Sequence, residues 1–312
     1  MKMHRLATAL LFSLFGLASG AQAIEKIPGV AASINPPEGF AQSKQFSGYF
    51  NEKSGASIMA TEMSSPLEEV QHGFIPDLLT VKGVRVLGSE QAERQGKKLW
   101  LYKIAQSDGS VDYHKWILLQ GDGKGSLMMV GTYQAANEST EGAKIKDALL
   151  SLEVQDEARN KVSLDGLSYT VKETENLKIT KRMNSALAMT RPGDPFPSES
   201  AEPLLVIAPS FNNVEIGDLA SFAEKHLKST SSLIEAEVVK DSVKSLKIGG
   251  LDAVELQANA EDARNHKPVK VYQAIIVSSD GYYVIKGIVK SELSEQFLPE
   301  FRQIAHGLTV NK

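Results

Sequence analysis

The sequence predicts an α+β protein of two similar domains, each a mostly antiparallel sheet flanked by helices. Its two halves repeat one order of elements about 155 residues apart. Asp122 and Asp280 lie in matching turns, and Leu152 and Leu308 end matching amphipathic stretches. Within each half, long apolar runs are separated by short turns, as antiparallel neighbours require. A repeat of this length indicates two copies of a domain, because solenoid repeats are much shorter.

Residues 1–23 have the pattern of a signal peptide. A basic start precedes a mostly apolar stretch over 6–17, and Ala21–Ala23 supplies a small-x-small cleavage site. The apolar stretch is too short to span a bilayer, which needs roughly 20 apolar residues. The alternative is an ordinary amphipathic or buried N-terminal helix. Cleavage after this site predicts a periplasmic or secreted mature chain that begins at Ile24.

The composition excludes several classes of protein. The chain has 312 residues, no cysteine and a formal charge of −4. Without cysteine, an oxidising compartment supplies no disulfides, and thiol chemistry and cysteine-bound zinc are excluded. The mild acidity is spread along the chain, which argues against nucleic acid and anionic lipid as partners. After removal of the signal, no segment is predicted to be an integral membrane anchor.

The first half is predicted to begin with a strand pair and a short helix. Residues around Tyr49 and over 57–63 read as strands on either side of a turn. Ser65, Pro66 and Glu68 have the spacing of a capping box at the start of a helix. Four further strands then lead to a closing helix with one apolar face. These strands are predicted over 84–93, 97–106, 111–120 and 126–133, and the helix face comprises Ile145, Ala148, Leu149 and Leu152.

The second half is predicted to repeat this order. Asp218 suits the N-cap of a helix whose apolar stripe runs from Ile216 to Leu227. Pro299 suits the first position of the closing helix. In that helix, Phe301 stands 156 positions after Ile145. The strands are predicted over 169–173, 177–182, 186–190, 204–209, 236–245, 250–260, 269–278 and 282–290.

A short charged stretch divides the two halves. Gln155–Lys161 is poor in apolar residues, as domain boundaries are, and its few glycines and prolines favour a modest hinge. We therefore expect a first domain over 24–157 and a second over 162–312. The proline-rich loop Arg191–Ser200 has no counterpart in the first half.

The order of elements resembles the PsbP-like superfamily. The Pro36–Phe40 opening, the strand pair, the capped helix, the long meander and the closing helix carry the resemblance, over about 34–154 and 165–310. The chain is similar to an exported bacterial member with tandem PsbP-like domains. The resemblance implies a binding or assembly factor rather than an enzyme. Because it has no diagnostic motif, it assigns no functional residue.

The sequence contains no local pattern for catalysis, a metal or a cofactor. Histidines of the mature chain are not spaced as ligand pairs, so a metal site would need residues from distant segments. Asp112 and His114 share one face of a predicted strand, where an oriented imidazole competes with an ordinary surface pair. Gly121–Gly125 lacks the length of a P-loop and is predicted to be a hairpin turn. No catalytic, metal-binding or cofactor-binding residue is therefore predicted.

Aromatic residues on neighbouring strands form the candidate ligand or partner surface. Trp100 and Trp116 lie on adjacent predicted strands of the first half with His114 near them, and Tyr272 and Tyr283 hold similar places in the second. Such side chains build either a ligand groove or partner patch, or the core of the sheet. Apolar residues alternate with Trp100, so its strand is expected to be covered on both faces.

These observations favour an exported, soluble, non-catalytic binding or assembly-accessory protein of the cell envelope. Its partner would be an envelope protein or a small ligand held between the two domains; the sequence does not determine an oligomeric state. The alternative is a hydrolase acting on an envelope component, with acidic residues and His114 converging from distant segments.

Overall fold

The computed structural model describes residues 24–75, 79–80, 83–155, 162–193, 203–210 and 215–311. The predicted signal peptide lies outside these residues, as do most of Gln155–Lys161 and most of Arg191–Ser200. The cleavage site, the hinge and the two domain limits therefore stay predictions.

The first half is built on one large antiparallel sheet. Its strands are β1 (Glu25–Lys26), β2 (Ala32–Ile34), β3 (Ala41–Gln42), β4 (Gly48–Phe50), β5 (Ser57–Met63), β6 (Val84–Arg94), β7 (Lys97–Ser107), β8 (Asp112–Gly121), β9 (Ser126–Gln134) and β10 (Glu153–Val154), with helices α1 (Leu67–His72) and α2 (Ala143–Leu150). The large sheet has the order β3-β4-β5-β9-β8-β7-β6. In a small sheet, β2 pairs with both β1 and β10, which joins the beginning and end of this half.

The second half is built on a second large antiparallel sheet. Its strands are β11 (Tyr169–Thr170), β12 (Lys178–Met183), β13 (Ala186–Thr190), β14 (Leu204–Pro209), β15 (Leu233–Val238), β16 (Lys244–Ile248), β17 (Leu251–Asp262), β18 (Pro268–Ser278), β19 (Gly281–Lys290) and β20 (Thr309–Val310), with helices α3 (Leu219–Lys228) and α4 (Ser294–His306). The sheet has the order β12-β13-β14-β19-β18-β17-β15, and β16 also pairs with β17. β11 pairs with β20 and so joins the two ends of this half.

The two large sheets follow the same path. The second order repeats the first strand for strand, with β15 and β16 together in the place of β6. In each half, a helix lies between the third and fourth strands of the large sheet, counted in chain order. These are β5 and β6 in the first half and β14 and β15 in the second, and another helix follows the last long strand. The predicted fold class, two similar α+β domains with mostly antiparallel sheets, is confirmed.

Two glycines show how each closing helix packs on its sheet. A Cβ at Gly131 of β9 would lie 2.1 Å from Cγ2 of Ile145 in α2, and one at Gly287 of β19 would lie 2.3 Å from Cδ2 of Phe301 in α4. Both pairs are offset by 156 positions, as the sequence repeat predicts. The missing side chain lets the helix approach the backbone of the strand.

Each large sheet is buried on both faces. In β7, Leu99 and Leu101 join the core under α2, whereas Trp100 and Tyr102 join a second core with residues of α1. The second sheet likewise has one core against α4 and another against α3. The expectation that the strand of Trp100 is covered on both sides is confirmed.

The predicted helix starts were right in one case and wrong in two. The carboxylate of Asp218 accepts a hydrogen bond from the backbone N–H of Ser221 at 2.8 Å and caps α3. The capping box at Ser65 does not form, since α1 has no side-chain cap. Its first N–H, that of Leu67, donates instead to the carbonyl of Asp122 at 3.0 Å. A tertiary contact thus replaces the local cap.

The closing helix α4 begins earlier than predicted. Its first residue is Ser294, so Pro299 lies inside the helix and not at its first position. Proline inside a helix forfeits one backbone hydrogen bond. Phe297, which is 1% exposed, belongs to the additional turn. Burial of this ring in the core favours the longer helix.

The predicted strand over 236–245 is wrong, because the chain breaks there into β15 and β16. Asp241, between them, has a φ of 61°, which a strand does not allow. The hydroxyl of Ser242 accepts from the N–H of Gln257 in β17 and donates to its carbonyl, both at 3.1 Å. A side chain therefore replaces the backbone ladder at this point.

Described residues of the two halves meet at the hairpin between β12 and β13. Nη2 of Arg182 lies 3.4 Å from Oγ of Ser47, and Oγ of Ser185 donates to the carbonyl of Gln45 at 2.7 Å. The guanidinium lies over Gly29, where a Cβ would be 2.0 Å from Cζ of Arg182. This hairpin of the second half therefore docks on the first half.

Candidate functional site

The five aromatic and histidine residues that the sequence singled out lie in different surroundings. Trp100 packs in the core beside α1, and Trp116 packs on the opposite face of the sheet. His114 lies two residues before Trp116 on the same strand, β8. Tyr272 and Tyr283 are 1% and 5% exposed and belong to the core beneath α4. The five side chains do not share one surface, and their role in binding stays a prediction.

His114 belongs to a charged cluster at one end of the first sheet. Its Nδ1 lies 2.5 Å from Oε2 of Glu138, and Nζ of Lys103 lies 2.6 Å from Oε1 of the same carboxylate. Burial opposes ionisation of Glu138, but hydrogen bonds from Lys103 and His114 lower its pKa overall. Lys103 also lies over the ring of Trp116, 5.3 Å from its centroid. His114 therefore pairs with Glu138 and not with its neighbour Asp112.

Tyr272 belongs to a second charged cluster, which ties α4 to the second sheet. Its hydroxyl donates to Oε2 of Glu255 at 3.1 Å, and Nε2 of His306 lies 2.8 Å from the same oxygen. Nη2 of Arg302 lies 2.6 Å from Oε1 of Glu255. Burial, and then the charge of Glu255, raise the pKa of Tyr272. Tyr283 is held apart from this cluster by a 3.1 Å hydrogen bond to Oγ of Ser168.

Neither a metal-binding cluster nor a membrane-spanning helix is present in the described residues. Among them, no group of three His, Asp or Glu side chains is placed to hold a metal ion. Across the same part of the chain, no helix has the length and apolar character needed to cross a membrane.

A cavity of about 370 Å³, open to solvent on one side, lies over β14 and β19 of the second sheet and beside α3. Strands β14 and β19 lie side by side there, and alternate residues of each point toward α3. Most of these alternate side chains are aliphatic. They are Leu204, Val206 and Ala208 from β14, and Val284 and Ile288 from β19. The ring of Tyr282 adds an aromatic wall and packs edge-on against Phe222 of α3 at 5.1 Å.

Lys286 and His226 give the cavity a polar side. Lys286 lies on β19 among the aliphatic residues, and its Nζ donates to the hydroxyl of Thr230. Thr230 in turn donates to the carbonyl of His226 at 3.3 Å. Nδ1 of His226 lies 3.3 Å from Oε1 of Gln273, whose Nε2 donates to the carbonyl of Ala223 at 2.8 Å. The bond to Ala223 fixes the orientation of the Gln273 amide, so that its oxygen faces His226 and accepts a hydrogen bond. In a neutral ring, Nδ1 of His226 is therefore the donor and Nε2 is the acceptor.

Burial controls the charge of both residues. Burial lowers the pKa of Lys286 to about 8, and no charged neighbour contributes to this shift. The pKa of His226 is lowered by burial and then by the charge of Lys286, against a smaller opposite effect of its bond to Gln273. Within the described residues, no carboxylate pairs with Lys286. Among the described residues of the cavity, Lys286 is therefore a cation without an anionic partner.

The first half has an apolar pair at the matching position. Lys286 precedes Gly287 and lies opposite Gln273 in the second sheet, just as Val130 precedes Gly131 and lies opposite Ile117 in the first. Both pairs are offset by 156 positions. The face of the first sheet around Val130 is packed with apolar side chains, including Phe74 and Tyr102, whose rings stack at 5.0 Å. The polar residues of the cavity therefore have apolar counterparts in the first half.

Sequence reasoning missed Lys286, His226 and the cavity between them. A signal for the lysine was present. The run Tyr282–Lys290 is almost continuously apolar, as in a strand covered on both faces, and Lys286 interrupts it in the middle. A charged residue at such a position has to be accommodated by a specific environment. His226 gave no comparable signal, because its spacing on α3 does not show which strand it faces.

Comparisons with known proteins give only distant similarities. No protein-family model and no curated protein matches the sequence. Among solved structures, LpqN of Mycobacterium tuberculosis, involved in cell envelope biogenesis, is 18% identical, with a TM-score of 0.37 over 46% of this chain and 83% of that chain. PsbP of the cyanobacterium Synechocystis is 10% identical, with a TM-score of 0.32 over 44% of this chain and 96% of that one. The T6SS immunity protein TplEi of Pseudomonas aeruginosa is 10% identical, with a TM-score of 0.35 over 92% and 97%.

A PsbP protein is thus among the structural neighbours. At these scores the similarities carry no argument about function, and the tandem arrangement of PsbP-like domains stays a prediction.

Proposed function

We propose that the protein is an exported, non-catalytic binding protein of the cell envelope whose second half holds one small, mostly apolar ligand. The cavity over β14 and β19, beside α3, carries this proposal. Its volume of about 370 Å³ falls in the range of ligand pockets, roughly 300–1,000 Å³. The pocket is open to solvent and most of its lining residues are only partly buried, so it leaves apolar surface that a ligand would cover.

The lining also fits a ligand site. Ligand pockets combine mostly apolar walls with a few polar groups that orient the ligand. Here aliphatic side chains of β14 and β19 form the walls, and Lys286 and His226 supply the polar groups. Because Val130 and Ile117 stand at the matching positions of the first sheet, we expect one ligand per chain.

The surroundings of His226 favour binding over hydrolysis. A histidine that acts as a general base is usually oriented by a carboxylate, as in hydrolytic triads. The partner of His226 is instead the amide of Gln273. His114 does pair with a carboxylate, but it lies in the first half and outside this cavity.

A neutral fluorescent probe tests the binding function. N-phenyl-1-naphthylamine should bind the mature chain, and Val206→Trp should abolish the binding because the larger ring fills the cavity. Val206 lies opposite Lys286, and Met59 lies opposite Val130 at the matching position of the first sheet. Met59→Trp is therefore the matched control and should leave the fluorescence unchanged. Equal probe binding by Val206→Trp and the original chain would contradict the proposal.

Export is tested separately. The N-terminal sequence of the protein recovered from its host should begin at Ile24. A retained Met1 would contradict export with cleavage after Ala23.

A further inference from the structure

We propose that the ligand of this cavity is an amphiphile with a single carboxylate head group, which pairs with Lys286. This inference rests on the proposed function, because it specifies the chemistry of the molecule held in the same site. Three features of the described residues support it: Lys286 has no counter-ion, its ammonium group has unused N–H donors, and His226 is neutral.

The first feature is the absence of a counter-ion in the described surroundings of Lys286. Burying a charge is unfavourable unless the charge is paired. Lys286 faces aliphatic side chains of β14, the amide of Gln273 on β18, and His226 and Thr230 from α3 and the loop after it. Tyr282 is the other titratable group on its own strand in the cavity wall. None of these residues supplies a negative charge at neutral pH.

The second feature is the hydrogen-bonding capacity of Lys286. An ammonium group has three N–H donors. In the described residues, the group donates to the hydroxyl of Thr230 alone. The proton of that hydroxyl is directed to the carbonyl of His226, so Thr230 is held as an acceptor. Two donors of Lys286 therefore have no partner in the described part of the chain and are available to a ligand, which matches the two oxygens of a carboxylate.

The third feature limits the charge of the ligand to one. His226 lies beside Lys286, and its pKa is lowered by burial and by the charge of the lysine. It is therefore neutral at neutral pH and adds no second positive charge. A monoanion would be balanced by Lys286, whereas a dianionic phosphate would leave an uncompensated charge in an apolar cavity. The aliphatic walls then suit the alkyl part of the molecule.

Three alkyl compounds that differ only in the head group test this inference. Decanoate, decanol and decyltrimethylammonium are titrated against the mature chain loaded with N-phenyl-1-naphthylamine, and displacement of the probe is followed by fluorescence. A charge-assisted contact should make decanoate bind about tenfold to a hundredfold more tightly than decanol. The ammonium compound should displace the probe least. This comparison uses the unmodified protein and does not depend on the folding of a variant.

Two substitutions then assign the effect to Lys286. Lys286→Met should lower the affinity for decanoate by about tenfold or more and leave the affinity for decanol unchanged. Lys286→Arg keeps the charge and should retain a preference for decanoate. Equal binding of decanol and decanoate by the unmodified chain would overturn the inference and leave the proposed binding function standing. A preference for decanoate that survives Lys286→Met would also overturn it. A different result would contradict the proposed function itself: Val206→Trp would bind the fluorescent probe as well as the unmodified chain does.

Discussion

At the scale of the residue, Lys286 is expected to stabilise the ligand complex and to destabilise the free protein. Its pKa is lowered by burial to about 8, against an ordinary value near 10.4. Between these two values the unfolded chain binds more protons than the native chain. Stability therefore rises with pH across this window and is lowest below it. A lysine retained at such a cost is typical of a functional site.

We predict that Lys286→Met stabilises the protein at pH 7 by roughly 1–3 kcal/mol, because the variant removes the penalty for burying the charged amine. The gain should shrink as the pH rises through 8 toward 10, where the native lysine is neutral. Urea unfolding of both proteins at several pH values measures the difference. Titrating groups that do not interact with Lys286 cancel in this comparison. His226 does interact with it, but its pKa is lowered from the ordinary histidine value of about 6.5, so its contribution falls below this pH window. A gain that is independent of pH would show that packing, and not the charge, is responsible.

Glu255 illustrates a different kind of buried charge, one that the protein itself neutralises. Its side chain is 6% exposed, whereas that of Arg302 is 46% exposed. Removing Arg302 leaves the carboxylate with Tyr272 and His306 as partners. The ion pair of Arg302 and Glu255 therefore connects α4 to the sheet. Because Glu255 is buried, this pair should contribute more to stability than an exposed ion pair does.

We predict that Arg302→Met lowers the free energy of unfolding by about 1–3 kcal/mol, the usual cost of leaving a buried charged acceptor short of a partner. The pair of Lys247 and Asp252 is the control, since both side chains are well exposed, at 63% and 74%. Lys247→Met should change stability by less than about 1 kcal/mol. Equal effects of the two substitutions in urea unfolding would be inconsistent with a special role for the buried acid.

At the scale of the element, the packing of each closing helix depends on a glycine in the strand beneath it. The helix residue above Gly287 is Phe301, which is fully buried. An added methyl group would overlap with its ring and force the helix away from the sheet.

Gly287→Ala is therefore predicted to destabilise the protein by about 1–3 kcal/mol, as overpacking in a core does. Gly88 in the edge strand β6 is the matched control, since a Cβ there would meet no atom within 4 Å. Gly88→Ala should stay within about 0.5 kcal/mol of the unmodified chain. Thermal unfolding of both variants checks the prediction. Tolerance of Gly287→Ala would mean that α4 can shift without loss of packing.

The elements that the sequence predicted correctly are those with strong local patterns. Alternation and short turns located the long strands of both meanders, and the repeat located the closing helices. The wrong predictions occur where a distant partner decides the local structure. Ser242 interrupts a strand by bonding to Gln257, and Asp122 supplies the contact that replaces the cap of α1. Spacing along the chain does not reveal such contacts.

The candidate site was less predictable than the fold for the same reason. Lys286 could be noticed as a charge within an apolar strand, but its neighbours Thr230 and His226 come from a different element. They come together where the end of α3 and the loop after it lie beside β19. The aromatic residues that were more conspicuous in the sequence belong to packed or charged clusters instead, since large rings are also what a buried sheet requires.

At the scale of the whole molecule, the cavity lies within the second half. A ligand between the domains was one of two predictions from the sequence, the other being an envelope protein as partner. Described contacts between the halves include the β12–β13 hairpin and an ion pair of Lys26 with Asp165 at 2.8 Å, whereas the cavity is formed by α3, β14 and β19. A hydrogen bond from Thr61 to Asn184 at 3.2 Å adds to the junction. Ligand binding and contact between the halves are therefore expected to be separable.

We predict that an isolated 162–312 fragment folds and binds decanoate with the affinity of the mature chain, while a 24–157 fragment folds and does not bind it. Each fragment keeps a complete sheet, its closing helix and the short strands that join its ends, so each retains its own core. Urea unfolding tests folding, and displacement of the fluorescent probe tests binding. The 162–312 fragment with Lys286→Met is the control for specific binding. Absence of a cooperative transition would contradict the domain limits, because the core would then require both halves. A folded 162–312 fragment that binds only when mixed with 24–157 would instead place part of the site on the first half, and the position of the cavity argues against that result.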